Sequence, residues 1–250
     1  GLNWQSILNL SFNRDKVTKY YATATKGNDY IGTGTVTGLV GKPVYAVFSY
    51  PYLGLDAQGD PLGMLNGASS KDYAALTGAA TKIEDLRFHG AAMPTQFGNL
   101  LNRFSYRGFS VELALSYKLG YYFRRQGINY SNLVASRRGH PDYALRWQNP
   151  GDEAHTTVPA FQYPVNSARS VFYQNAEALV SKADHVRIQY LNLAWETKKP
   201  INSTVKGLRV FLNCANMGLL WAANEEKIDP DYINGLRPAP MYSAGLNVKF

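Results

Sequence analysis

Among residue types that carry catalysis or hold metals, this chain of 250 residues has four histidines and a single cysteine, and their spacing builds no reactive site. His89, His140, His155 and His185 are far apart in sequence, and none falls in an H-E-x-x-H or other metal-ligand spacing. Gly32, Gly34 and Gly38 do not stand between a strand and a helix in G-x-G-x-x-G order, so loop freedom accounts for them better than a phosphate cradle. Asp56, Asp60 and Asp72 lack the spacing and closing glutamate of a calcium loop. Cys214 lies in an alternating apolar run and reads as a small packed residue. No catalytic residue, metal site or cofactor is expected.

The chemistry that remains is recognition. The stretch 124–184 carries Arg124, Arg125, Arg137, Arg138, Arg146, Tyr143, Trp147, Tyr163, Phe172 and Tyr173. Aromatic faces stack on sugar rings and guanidinium forks bind carboxylates, so Arg137, Arg138, Tyr143, Arg146, Trp147 and Tyr163 are candidate contacts for a glycan or peptide. The competing reading is that they pack loop against loop or against a partner.

These residues need a scaffold, and hydrophobic periodicity supplies it. From Phe109 to Phe123 the odd positions are apolar and the even ones mostly polar, a run of roughly 50 Å at strand rise. That is long for a soluble sheet. Similar alternation marks Leu2 to Phe12, Leu100 to Tyr106, Val186 to Trp195, Leu208 to Cys214 and Met241 to Phe250, with a less regular run from Val44 to Leu53 broken by Pro51. In the Val186 to Trp195 run the phase flips, predicting a bulge at Tyr190-Leu191. Apolar residues toward lipid and polar ones toward a lumen fit an all-β, antiparallel transmembrane barrel. Tyr117, Tyr121 and Phe123 then form an upper aromatic girdle and Phe109 part of a lower one. Glu112, Lys118, Arg187 and Arg209 face the lumen, where they line a path, touch a plug or keep the wall solvated.

Composition agrees. The chain is 45% hydrophobic and 13% aromatic, excluding disorder, and no stretch is long and apolar enough for a spanning helix. Its charge of +8 is dispersed with no run of five like charges, so no nucleic-acid partner is expected. Short turns at Arg107-Gly108 and Lys198 to Lys206 lie on one side, and long connections at 54–96, 124–184 and 222–240 on the other. The segment between Arg14 and Lys42 breaks this order and is expected as a larger connection on the short-turn side. Seven strands place the chain ends on opposite sides of a membrane, so the chain is expected to be a processed product or fragment whose barrel is completed by upstream residues.

The run Phe97 to Phe109, the segment Arg146-Trp147-Gln148-Asn149-Pro150-Gly151-Asp152 and the strand Val186 to Leu193 occur in an order that resembles the C-terminal barrel region of the SusC/RagA family of TonB-linked outer-membrane proteins. Asn213 to Met217, Asp229-Pro230, the ending Gly245 to Phe250, and Gly41-Lys42-Pro43 followed by Tyr50, Gly54, Asp56, Gly59, Asp60 and Pro61 extend the resemblance over nearly the whole chain. It implies that residues 1–250 are the last seven strands of a 22-stranded barrel, located in the bacterial outer membrane as a multi-pass protein. It further implies a plug and TonB-binding segment elsewhere in the protein and a SusD-like surface lipoprotein as lid. The implied activity is energised import of oligosaccharides or oligopeptides, without covalent chemistry. The implied partners are the remaining N-terminal barrel and plug, the lipoprotein, TonB, outer-membrane lipids and the barrel-assembly machinery, which would read the C-terminal strand ending in Phe250. Two alternatives are a structural or adhesive outer-membrane barrel without active transport, and a soluble β-sandwich lectin, for which the Phe109 run is too long.

Overall fold

The structure, a computed structural model, describes all residues except 23–25, 32–35 and 198, so Gly32, Gly34 and the first residue of the Lys198 to Lys206 turn lie outside the described residues. The chain forms two compact units, one of residues 1–13, 94–121 and 182–250, the other of residues 14–93 and 122–181.

The first unit is a six-stranded antiparallel sheet: β1 (Asn3–Phe12), β2 (Gln96–Tyr106), β3 (Phe109–Leu119), β4 (His185–Glu196), β5 (Gly207–Ala222) and β6 (Met241–Lys249). Each strand pairs with its neighbour in sequence, so the sheet is an up-and-down meander. Among the described residues β1 and β6 each pair on one side only, and the sheet does not close. No described helix is long and apolar enough to cross a membrane.

Local chemistry explains the register. Arg107 (φ 48) and Gly108 (φ 91) take the left-handed conformations of a two-residue hairpin turn, which pairs Tyr106 with Phe109 and, further along, Arg103 with Glu112. Glycine also lets rings lie flat on the sheet. A Cβ at Gly98 would strike the Tyr117 ring and the Asn9 carbonyl, and one at Gly245 would strike the Phe211 ring.

The expected seven strands are six, because the Val44 to Leu53 run belongs to the second unit. There Ala46–Ser49 pairs with Arg87–Ala91, while Tyr52–Leu55 opens a three-stranded sheet with Pro61–Leu65 and Ala68–Ser70. Pro51 has no N–H to continue one long ladder, and Phe48 and Tyr50 are buried in that unit's own core. Residues 13–95 therefore form one long connection, and no larger one arises on the short-turn side. With six strands both chain ends lie on the short-turn side, so the parity reasoning fails. What remains of the incomplete-barrel expectation is the open pair of sheet edges.

Three further details differ from the sequence pattern. The Phe109 run leaves the ladder at Leu119, where Gly120 (φ 75) turns the chain and the Asp184 carboxylate accepts its N–H at 2.6 Å. Tyr121 and Phe123 are buried beyond that turn and form no exposed girdle. The bulge in β4 falls at Gln189, not at Tyr190-Leu191, which sends Tyr190 to the polar face opposite Ala114. Finally, β5 runs to Ala222, well past Cys214.

The second unit folds around a core of its own. Phe172, fully buried on the helix Ser167–Gln174, packs its ring 5.7 Å from those of Tyr50 and Tyr73, with Leu76 and Ile31 alongside. Ile128, Tyr130, Val158, Tyr173 and Leu179 form a second cluster. Burial pushes the Tyr50 and Tyr130 hydroxyls up to about 12. The Asn166 side chain caps that helix, Ser167–Gln174, by accepting the Arg169 N–H at 3.1 Å.

Candidate functional site

The cross-strand register sorts the sheet into two faces. On one, Trp4, Phe104, Val111, Leu193, Leu212 and Ala244 form a continuous apolar row, as do Tyr106, Phe109, Trp195, Val210 and Leu246. The rings of Trp4 and Phe104 stack at 5.8 Å, and those of Phe109 and Trp195 meet at 6.2 Å. Trp4 turns its indole N–H to the Asn102 side-chain Oδ1 at 3.1 Å, which leaves the rest of the ring apolar. Large side chains on this face are exposed, Phe109 by 60% and Leu246 by 61%, a surface that water does not favour.

The opposite face is polar, and its central row reads Gln5, Arg103, Glu112, Asn192, Asn213 and Ser243. Arg103 donates from Nε to Glu112 Oε2 at 2.7 Å, and the Tyr190 hydroxyl donates to Oε1 at 3.0 Å. Two rows away, Asn9 bonds Asn99 at 2.7 Å and Gln189 donates to Ser116 Oγ at 2.6 Å. Toward the turn end this face holds a concavity of about 1030 Å³, lined by Arg103, Glu112, Asn192, Glu196, Arg209 and Phe211 among others. Toward the other end Lys118 Nζ lies 2.7 Å from Asp231 Oδ1, and Arg187 pairs with Asp229. His185, almost fully buried, sits 3.4 Å from Asp231. The hydrogen bond from His185, joined by Lys118, lowers the Asp231 carboxyl well below the usual carboxylate range.

The four lumen-facing residues read from the sequence thus share the polar face. Glu112, Lys118 and Arg187 are held in ion pairs, and Arg209 stands opposite Glu196 and Asn247 with its guanidinium 6.0 Å from the Phe211 ring. Sequence reasoning missed their partners Arg103, Tyr190, His185, Asp229 and Asp231. Arg103 was within reach, since the turn at Arg107-Gly108 sets it opposite Glu112. Phe250 is exposed just beyond the end of the edge strand β6.

In the second unit the six candidate contacts divide. Arg146 stacks on Tyr143, guanidinium to ring centre 4.0 Å, and donates to the Tyr143 carbonyl at 2.7 Å. Tyr163 is 80% exposed, and Arg137 and Arg138, at the end of the helix Tyr130–Ser136, are exposed too. Trp147 serves the fold instead: its indole N–H bonds Glu153 at 2.9 Å and its ring covers Gly59. Phe172 and Tyr173 are core residues. Of the calcium-like aspartates, Asp56 and Asp60 hold Lys71 at 2.7 Å and 3.3 Å, Asp60 also holds Arg169 at 2.9 Å, and Asp72 caps a short helix. Among the described residues no three His, Cys, Asp or Glu side chains are placed to hold a metal ion.

A meander of long antiparallel strands with one apolar and one polar face is the wall architecture of transmembrane β-barrels, in which alternate residues meet lipid and lumen. The chain is similar to the RagAB peptide transporter (TM-score 0.68, 19% identity) and to the RagAB peptide importer in its open-open (0.67, 19%) and closed-closed (0.64, 18%) states. Each match covers 100% of this chain, which spans 27% of the matched chain. The resemblance to the SusC/RagA barrel read from the residues therefore holds in the fold. No protein-family profile and no curated protein matches the chain. The similar structures belong to transporters, not enzymes.

Proposed function

We propose that residues 1–250 are the C-terminal part of the barrel of an outer-membrane transporter that imports oligopeptides or oligosaccharides with energy delivered through TonB. The observation that carries this reading is the back-to-back sheet: an exposed apolar band on one face, and on the other a polar wall where Arg103 pairs with Glu112 across strands and Lys118 and Arg187 pair with the aspartates of the connection 223–240. The band suits outer-membrane lipids, and the polar wall suits a solvated passage. Oligopeptides come first as cargo because the similar structures are peptide importers. The remaining barrel strands and a plug would come from the rest of the protein. Arg137, Arg138, Tyr143, Arg146 and Tyr163 are the surface on which cargo or a SusD-like lipoprotein would lie, and Phe250 is the terminal residue that the barrel-assembly machinery would read.

The test is uptake by cells carrying the full-length protein. A fluorescent oligopeptide should enter the periplasm, and entry should stop when the gene is deleted or when a protonophore collapses the inner-membrane gradient. Surface binding that persists without entry, in cells whose outer membrane contains the protein, would favour a structural or adhesive barrel.

A further inference from the structure

The polar wall carries two cations whose partners come from no strand. Lys118 on β3 stands opposite His185, and Arg187 on β4 opposite Ser116, so the strand register aims both onto the inner face. Their counter-ions belong to the connection 223–240. Asp229 pairs with Arg187, and Asp231 lies 2.7 Å from Lys118 and 3.6 Å from Arg187. The connection is built to present these acids. Asn224 clamps its first turn by accepting the Ile228 N–H at 2.6 Å and donating to the Ile228 carbonyl at 2.9 Å. Pro230 then starts a tight turn that Asp229 caps, accepting the Asp231 N–H at 3.2 Å, and the Tyr232 ring lies 5.3 Å from the Arg187 guanidinium. Two carboxylates with one residue between them are thus held against two wall cations. The fit is incomplete, since Asp229 Oδ2 is buried without a hydrogen-bond partner among the described residues, a penalty borne only while the connection is folded in.

We propose that Lys118 and Arg187 form a carboxylate-binding site on the inner wall, and that the connection 223–240 is a strap whose Asp229 and Asp231 occupy that site until a carboxylate-bearing ligand displaces them. The ligand class follows from the pair the strap supplies: an oligomer with closely spaced carboxylates, such as an acidic peptide. Its arrival along the inner wall rests on the transport reading above. The competition between ligand and strap does not. His185, Tyr121 and Asp184 complete the surroundings: His185 contacts Asp231, the Tyr121 hydroxyl is 3.3 Å from His185 Nδ1, and Asp184 is engaged by the Gly120 N–H.

The test uses purified full-length protein with fluorescent penta-glutamate and penta-glutamine as probes. Asp229→Asn combined with Asp231→Asn should tighten penta-glutamate binding about tenfold, in the range usual for coupled sites, and leave penta-glutamine binding unchanged. Trypsin should then cut faster after Lys227, reporting a released strap. Lys118→Gln with Arg187→Gln should also speed cleavage but abolish the preference for penta-glutamate. Faster cleavage with unchanged or weaker penta-glutamate binding in the aspartate variant would overturn the proposal. If that double variant does not assemble, Asp231→Asn alone carries the same comparison with the same readings. Because binding is measured without transport, failure of uptake would overturn the transport reading and leave this result standing.

Discussion

Replacing Asp60 with alanine is expected to destabilise the second unit by about 3–5 kcal/mol, the range for stranding a buried partner of an ion pair. Arg169 is only 4% exposed. It donates to Asp60 at 2.9 Å and to the carbonyls of Ala160 and Gly59 at 3.0 Å each. Those carbonyls remain after the substitution, but the charge does not find another carboxylate. Gln162 also loses its 2.7 Å bond to Asp60. Hydrogen exchange on the full-length protein should show protection falling across residues 14–93 and 122–181, with the β-sheet amides little changed. Asp60→Leu combined with Arg169→Met should recover much of the loss, because a well-packed apolar pair avoids the desolvation penalty. Equal damage from the single and double variants would mean that the pair's packing, not its charge, holds the site. Acid adds a related effect through Asp56. Burial alone would raise its carboxyl, but hydrogen bonds from Lys71 and from the Asp60 and Gln58 N–H groups outweigh it and lower it. Its contribution is therefore present above the unfolded carboxyl's pKa, about 3.9, and lost as pH falls further.

Leu191→Arg is expected to cost about 2–4 kcal/mol, whereas Asn192→Arg should cost about 1 kcal/mol or less. The two are adjacent in β4 but face opposite ways. Leu191 lies in the apolar row with Leu113 and Cys214, and Asn192 stands between Glu112 and Asn213. An arginine at the first position sits in hydrocarbon, while at the second it gains a neighbouring carboxylate. Refolding of the full-length protein into lipid vesicles across a urea series measures both. Equal costs would mean that the faces are wrongly assigned.

How much of this was legible in the sequence follows from physical range. Strict alternation from Phe109 to Leu119 and from Met241 to Lys249 is a local signal and located those strands directly. The Val44 to Leu53 run alternates too, yet it serves a separate core, because alternation reports a two-faced strand without saying which sheet receives it. Alternation alone does not place Tyr190, since an aromatic ring suits either face, and only the bulge at Gln189 decides. The Glu112 site was half legible, because a tight turn fixes its partner nine positions away. Arg187 and Asp229 are 42 residues apart, with no turn rule to join them. The cores of the long connections carry no regular period, so alternation does not separate the buried Phe172 and Tyr173, or Trp147 over Gly59, from surface contacts.

The central claim is that β3 is part of a barrel wall with lipid on one side and water on the other. Spin labels placed singly at residues 109–119 of the full-length protein in lipid bilayers test it, by comparing accessibility to oxygen, which concentrates in the membrane, with accessibility to a water-soluble nickel chelate. Oxygen accessibility should peak at positions 111, 113, 115 and 117 and fall at 110, 112, 114 and 116, with lower values where the wall touches other protein but no change of phase. Accessibility without a period of two, or with the opposite phase, would contradict it.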